Sequence, residues 1–412
     1  MEVAAIEAYA DLVIKSCINI AEGDRLRISS DLAHRDLVHA LAAKAWAAGA
    51  RAVRVDWQDG RLARLYYDGI RDRYLDEVPS FVGRDAAMIA EEGWSILSIV
   101  GEEDPRALDG VDPGKLQRQQ RVRSQAQASF RHAVHSNAIP WCVIPAPTAA
   151  WGRAVFEAAG RDPGPDPEAS LWQALLPILH LDRPDPAASL RAHLEAISAR
   201  ARKLSSLHIA ELHFKGPGTD FRVGLSPRSS WAGGGSLTTA GKPFNANHPT
   251  EEVFTSPDRR LAEGRVACTR PVKVLGETVV EGWFEFRGGR VVDSGAAKGA
   301  ETLRRFLDVD PGSRSLGEAA LVDATGPIFK SGLVFDNGLI DENAACHIAL
   351  GSAYFEVFEG AEAMDEAGRA EAGYNESLVH IDFMIGSEEV DVGATLADGS
   401  SLDLLKGGRF VV

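Results

Sequence analysis

The chain has 412 residues, 25% of them charged and 45% hydrophobic, a balance that excludes a wholly disordered protein and leaves ample apolar side chains for a core. Lysine and arginine number 44 against 59 aspartates and glutamates, a formal net charge of −15 with no basic cluster to interrupt it, so nucleic acid and anionic membranes are excluded as partners. Four scattered cysteines (Cys17, Cys142, Cys268, Cys346) with no C-x-x-C pair exclude a disulfide framework and a cysteine zinc site.

The N-terminus reaches Glu7 and Asp11 with no basic stretch or apolar run before them, so no secretory signal is expected. No apolar stretch approaches the roughly 20 residues of a membrane helix. A cytoplasmic protein with no membrane partner is the expectation. At about 100–200 residues per domain, the length predicts two or three domains.

In chain order, residues 3–21 carry Ile6, Tyr9, Val13 and Ile14 at helical spacing, and Gly23-Asp24 ends that helix. Leu26-Arg27-Ile28 is a short strand; Asp31 is a cap for a helix over 32–48, which stops at Gly49. Residues 52–57 give a second strand, so the unit reads strand–helix–strand, the pattern of a parallel sheet covered by helices. Residues 95–100 and 141–144 add strands. Two Pro-rich breaks, 162–167 and 183–186, precede helices, the second running to about residue 204. The period then changes to two, in 208–214, 220–225, 277–286 and 290–293. The fold class expected is an N-terminal α/β domain with a mainly parallel sheet (1–205) and a strand-rich α+β C-terminal domain (206–412).

Several motifs are missing. There is no P-loop, no G-x-G-x-x-G after the first strand, no G-x-S-x-G and no H-E-x-x-H. Gly233-Gly234-Gly235 is a tight loop or an anion-binding backbone nest. His132 and His135 lie on a solvated helix face.

Metal-type ligands concentrate in the C-terminal half. In the strand pattern 378–386, His380 and Asp382 are two apart and share a face. A buried carboxylate there needs a cation or a hydrogen-bonded histidine. His347 and Tyr354 align with Asn343 if 342–354 is helical, and do not if it is a strand. Glu318 is an acid inside an apolar run, either a ligand or a helix-start carboxylate. Glu251 and Glu252 are adjacent, so only one of them readily joins a given site; the other is a supporting group, a general base or neither. Three carboxylates with two imidazoles form a donor set for Zn, Co or Mn, and enough of one for two ions sharing a carboxylate.

The segments Asn247-His248-Pro249-Thr250-Glu251-Glu252-Val253-Phe254-Thr255, Leu316-Gly317-Glu318, Glu342-Asn343-Ala344-Ala345-Cys346-His347 and Asn375 through Gly386 resemble the aminopeptidase T / aminopeptidase S family, in the same order and over nearly the whole chain. The resemblance implies a metal-dependent aminopeptidase that uses metal-activated water to release N-terminal amino acids from peptides with a free N-terminus, typically as a homodimer. Carried over by motif, the metal ligands are Glu252, Glu318, His347, His380 and Asp382, with Glu318 bridging two divalent ions. Tyr354 matches the active-site tyrosine, and Glu251 is a candidate for recognising the substrate amine. His248 departs from the aliphatic residue expected at its position.

The alternative reading takes His347, His380 and Asp382 as the two-histidine, one-carboxylate set of a non-haem Fe(II) ring-cleaving dioxygenase on the same scaffold. Glu252 and Glu318 argue against it, since a single-iron site does not need them.

Overall fold

The first strand–helix–strand unit forms as its pattern dictates. In the computed structural model, which describes residues 3–412 (Met1 and Glu2, where the expected first domain begins, lie outside the described residues), β1 spans Arg25–Asp31 and β2 spans Ala52–Gln58. Between them, the Asp31 carboxylate accepts a hydrogen bond from Ala33 N at 2.9 Å and opens a 3-10 turn, Leu32–His34, that leads into α1 (Arg35–Ala47). With β3 (Ser95–Val100) and β4 (Trp141–Pro145), the strands make a sheet of order β2-β1-β3-β4 in which every pair is parallel.

The helix expected over 3–21 is shorter and not uniform. It is α-helical from Val3 to Leu12 and then widens into a π-turn, Val13–Cys17. The wider turn re-phases the apolar stripe, so that Val13, Ile14 and Cys17 are all buried, a change that a period of 3.6 does not announce.

The chain divides into two compact units: Met1–Arg191 with Gly235–His248, and Ala192–Gly234 with Pro249–Val412. The second is built from β5 (Ile209–Gly216), β6 (Thr219–Leu225), β7 (Glu252–Thr255), β8 (Pro257–Ala267), β9 (Trp283–Arg287) and β10 (Arg290–Gly295). It continues with β11 (Leu316–Val322), β12 (His347–Gly351), β13 (His380–Met384), β14 (Asp391–Leu396), β15 (Ser401–Lys406) and β16 (Arg409–Phe410). One sheet has eight strands in the order β10-β9-β8-β6-β5-β14-β15-β16, and a second has four, β13-β12-β11-β7. The four-stranded sheet is antiparallel throughout. Among the described residues, no helix is long and apolar enough to cross a membrane.

The run 277–286 is two strands, not one. Glu277–Val279 folds back on Val272–Val274 through Leu275 and Gly276, both at positive φ (48° and 85°), and Glu281 (φ 52°) breaks the chain before β9. The core unites both sheets: Phe214, Phe221, Phe284 and Phe286 from the larger pack with Val253, Leu321, Ile348, Leu350 and Phe383 from the smaller.

Asn375 ties the entry of β13 to this frame. Its buried Nδ2 donates to the carbonyls of Gly312, Ser315 and Gly351 at 2.9, 3.2 and 2.6 Å. Asn375→Ala removes these buried hydrogen bonds, although Gly312 O and Ser315 O keep their backbone donors Ser315 N and Gly351 N, and is expected to lower unfolding free energy by about 1–2 kcal/mol, read from the urea midpoint at unchanged m-value.

Candidate metal centre

Strand pairing decides which side chains meet. Cross-strand partners project from the same face of a sheet, and residues two apart share that face. Val322 pairs with Glu252, Glu318 with Ala349, Ala320 with His347, Ala349 with Asp382, and Gly351 with His380. Glu252, Glu318, His347, His380 and Asp382 therefore all stand on one face of the four-stranded sheet. Val253, Ala319, Leu321, Ile348, Leu350 and Phe383 stand on the other, which is the core face. Ala320, Ala349 and Gly351 interleave with the five polar groups, and their small size leaves room between strands. Gly351 (φ 115°) is required twice over, since a Cβ there would lie 2.0 Å from Val379 O.

The five groups converge. His347 Nε2 is 3.1 Å from Glu252 Oε2 and 3.6 Å from Glu318 Oε1; His380 Nε2 is 3.3 Å from Glu318 Oε2 and 3.4 Å from Asp382 Oδ1. Glu318 thus turns one oxygen to each imidazole. Ligand atoms of Glu252, Glu318 and His347 lie within 4.8 Å of one another, as do those of Glu318, His380 and Asp382.

The histidines are oriented from behind. His380 Nδ1 is 2.7 Å from Ser352 O, and His347 Nδ1 is 3.2 Å from Ala345 O. A carbonyl can only accept, so both Nδ1 atoms carry the proton, and in the neutral ring Nε2 presents a lone pair to the carboxylates. Glu252 Oε2 and Asp382 Oδ1 are buried and accept no hydrogen bond among the described residues. Lone pairs facing lone pairs in a buried space are costly unless a cation or protons sit between them.

The titration behaviour says the same. Burial lowers His347, but the Glu252 and Glu318 carboxylates outweigh it and hold the ring well above its usual range; His380 is raised likewise by Asp382 and Glu318 against its own burial. Burial raises Glu252, whereas in Glu318 the two facing imidazoles overcome burial and lower it.

Tyr354 follows β12 rather than lying on a helix with His347: the stretch is a strand, and a short 3-10 turn starts only at Phe355. The residue is 40% exposed, yet its hydroxyl reaches to 3.3 Å from His380 Nε2. Glu318, likewise, is a strand residue and not a helix start.

Glu251 is not brought to the group. The chain alternates at β7, so its carboxylate points away from the face that carries Glu252 and lies 3.6 Å from His193 Nε2. Its backbone N donates to Asn343 Oδ1 at 2.7 Å, which fixes the start of β7.

Glu342 was not singled out by the sequence reading. It lines the same cleft as His380 and Asp382, and burial first, then Asp382 and Glu252, push its carboxyl well above its ordinary value. The available signal was Asp341-Glu342-Asn343, three polar residues leading into a buried apolar run.

The glycine run serves close packing. A Cβ on Gly233 would lie 2.6 Å from Glu252 O, and one on Gly234 would lie 2.2 Å from Leu194 O. His248 is buried in the first unit, with its ring 6.2 Å from that of Tyr9 and its N donating to Val143 O at 3.0 Å. His132 and His135 are exposed.

A sequence profile of the thermophilic metalloprotease (M29) family matches residues 3–410. Aminopeptidase T of Thermus aquaticus is 40% identical over 410 residues, covering 99% of this chain and 98% of that protein. Aminopeptidase 2 of Geobacillus stearothermophilus is 34% identical over 405 residues, covering 98% and 97%. Among solved structures, wild-type AmpT from Thermus thermophilus superposes with a TM-score of 0.90 at 39% identity, covering 99% of each chain.

Proposed function

Because the chain belongs to the thermophilic metalloprotease family M29, and is on that footing an aminopeptidase, we propose that it releases N-terminal residues from peptides with the help of two divalent metal ions held by Glu252, Glu318, His347, His380 and Asp382. The observation that carries this is the division of Glu318: one oxygen faces His347 beside Glu252, the other faces His380 beside Asp382. A carboxylate so placed could be shared between two ions, one beside each imidazole. The oxygen and nitrogen donors suit Zn, Co or Mn.

Such ions supply Lewis acidity for the scissile carbonyl and bring the pKa of a bound water from 15.7 to about 7. The protein's own groups do the rest. Ser352 O and Ala345 O hold the two imidazoles in the tautomer that leaves Nε2 free to ligate, and the core face of the sheet keeps the five ligands in register. Tyr354 donates a hydrogen bond to the oxyanion that develops on the carbonyl oxygen. A substrate α-ammonium needs a carboxylate at the group; Glu342, which lines the same cleft as His380 and Asp382 and whose ionised form an adjacent cation favours, is better situated for this than Glu251 beside His193.

The oxygenase alternative draws no support from the family match, and Glu252 together with Glu318 gives more carboxylates than one iron requires. Homodimeric assembly belongs to this proposal through the family resemblance, and a cytoplasmic location through the four scattered, unpaired cysteines; light scattering after size exclusion tests the first.

The direct test is release of p-nitroaniline from leucine p-nitroanilide by chelator-stripped protein, before and after addition of Zn, Co or Mn, with N-acetyl-leucine p-nitroanilide as control. Activity restored by metal and confined to the free amine is the expected result. No hydrolysis with any of the metals, followed by oxygen uptake after anaerobic Fe(II) loading, would overturn it.

A further inference from the structure

Beside the carboxylate–imidazole group lies a cleft of about 240 Å³ that the proposed chemistry leaves unassigned. His380, Asp382 and Glu342 line it where it meets the group, and Val272, Val334, Lys273 and Asp336 are also among its lining residues.

Both walls are fixed. One is the hairpin of Val272–Val274 with Glu277–Val279. The other, residues 333–338, is pinned from behind: Phe335 N and Asn337 N donate to the two oxygens of Asp341 at 2.8 and 3.0 Å, and Arg270 Nη1 donates to Leu333 O at 3.0 Å. Asp336, between these anchors at φ 52°, meets Lys273 Nζ at 3.3 Å, so a half-exposed ion pair joins the two walls.

An apolar cavity of about 150 Å³ holds a benzene ring, so this cleft is large enough for an aromatic or branched aliphatic side chain. A peptide whose amine and first carbonyl occupy the His380–Asp382–Glu342 end can send one substituent into it: the side chain of its first residue. We infer that the cleft is the pocket for the N-terminal side chain of the substrate, that Val334 limits its depth, and that the Lys273–Asp336 pair sets its charge preference. This rests on the aminopeptidase reading above.

The test is kcat/KM for the Ala, Leu, Phe and Lys p-nitroanilides with metal-loaded wild type, Val334→Phe and Lys273→Ala. Val334→Phe is expected to lower the Leu/Ala and Phe/Ala ratios by about tenfold or more, the scale on which apolar pockets discriminate. Lys273→Ala leaves Asp336 unpaired and is expected to raise the Lys/Leu ratio about three- to fivefold, as befits an exposed pair. The Kd ratio of leucinol to alaninol, read by calorimetry, is expected to move with the first of these in Val334→Phe.

Ratios within one variant are insensitive to partial loss of metal or fold, which lowers all substrates together. Ratios that stay at wild-type values in both variants would overturn the assignment. Wild type that cleaves none of the panel under any metal would instead sink the aminopeptidase reading, before any variant is compared.

Discussion

Replacing Glu318 by alanine is expected to lower kcat/KM by at least about a thousandfold and to loosen both metal ions, not one. Glu318 is buried and its two oxygens lie 3.6 and 3.3 Å from different imidazoles, contacts that Asp382 matches only with one oxygen at 4.0 and 3.4 Å. Charge stabilisation by a metal centre is worth several kcal/mol of transition-state energy, and each 1.36 kcal/mol is about tenfold in rate. Glu252 flanks only His347, and Asp382 reaches its second imidazole, that of His347, only at 4.0 Å, which is why Glu318 carries the larger expected effect. The measurement pairs turnover at saturating metal with metal content after dialysis. Glu318→Gln is the companion variant: it keeps the shape and removes the charge, and is expected to lose metal while remaining folded by circular dichroism. A well-metallated Glu318→Ala protein with near-normal turnover would exclude the bridging role.

How much of this site was legible in the sequence depends on the range of the interaction. The alternation of side chains along a strand is local, and it places His380 and Asp382 on one face and separates Glu251 from Glu252. The pairing of Val322 with Glu252, or of Ala349 with both Glu318 and Asp382, joins strands tens of residues apart. No local period encodes that register; it follows from burying Val253, Leu321, Ile348 and Phe383 together on the opposite face. Residue types alone offer three carboxylates and two imidazoles as a donor set; the assignment of the five as ligands, with Glu252 chosen over Glu251, comes from the family resemblance. For the same reason Glu318 is open in the sequence between a ligand and a helix-start carboxylate, and Tyr354 between two alignments with His347. The strand–helix–strand unit was legible because its parallel sheet is made from neighbours in the chain, whereas the return of Gly235–His248 to the first unit leaves no mark in composition. Glu342 was missed because a glutamate between Asp341 and Asn343 reads as a polar turn, and it is tertiary burial that makes it exceptional.

Tyr354→Phe is expected to lower kcat about a hundred- to a thousandfold while KM and metal content stay close to wild type, the magnitude found when one oxyanion donor is removed. The hydroxyl lies at the centre, 3.3 Å from His380 Nε2, and the ring is held edge-on to Phe254 at 5.9 Å between centroids. Phenylalanine keeps that packing, so the change is confined to the hydroxyl. Burial of the hydroxyl, then the carboxylates of Glu318 and Asp382, raise its pKa well above the usual value, which favours the neutral, hydrogen-bond-donating form. A neutral donor gains most when the carbonyl oxygen acquires charge, which happens in the transition state and not in the bound peptide. The loss therefore belongs in kcat rather than in KM. A rise in KM alone would make Tyr354 a substrate-binding residue, and loss of metal from Tyr354→Phe would place the hydroxyl among the groups that hold the centre together. Either result would remove it from the oxyanion role.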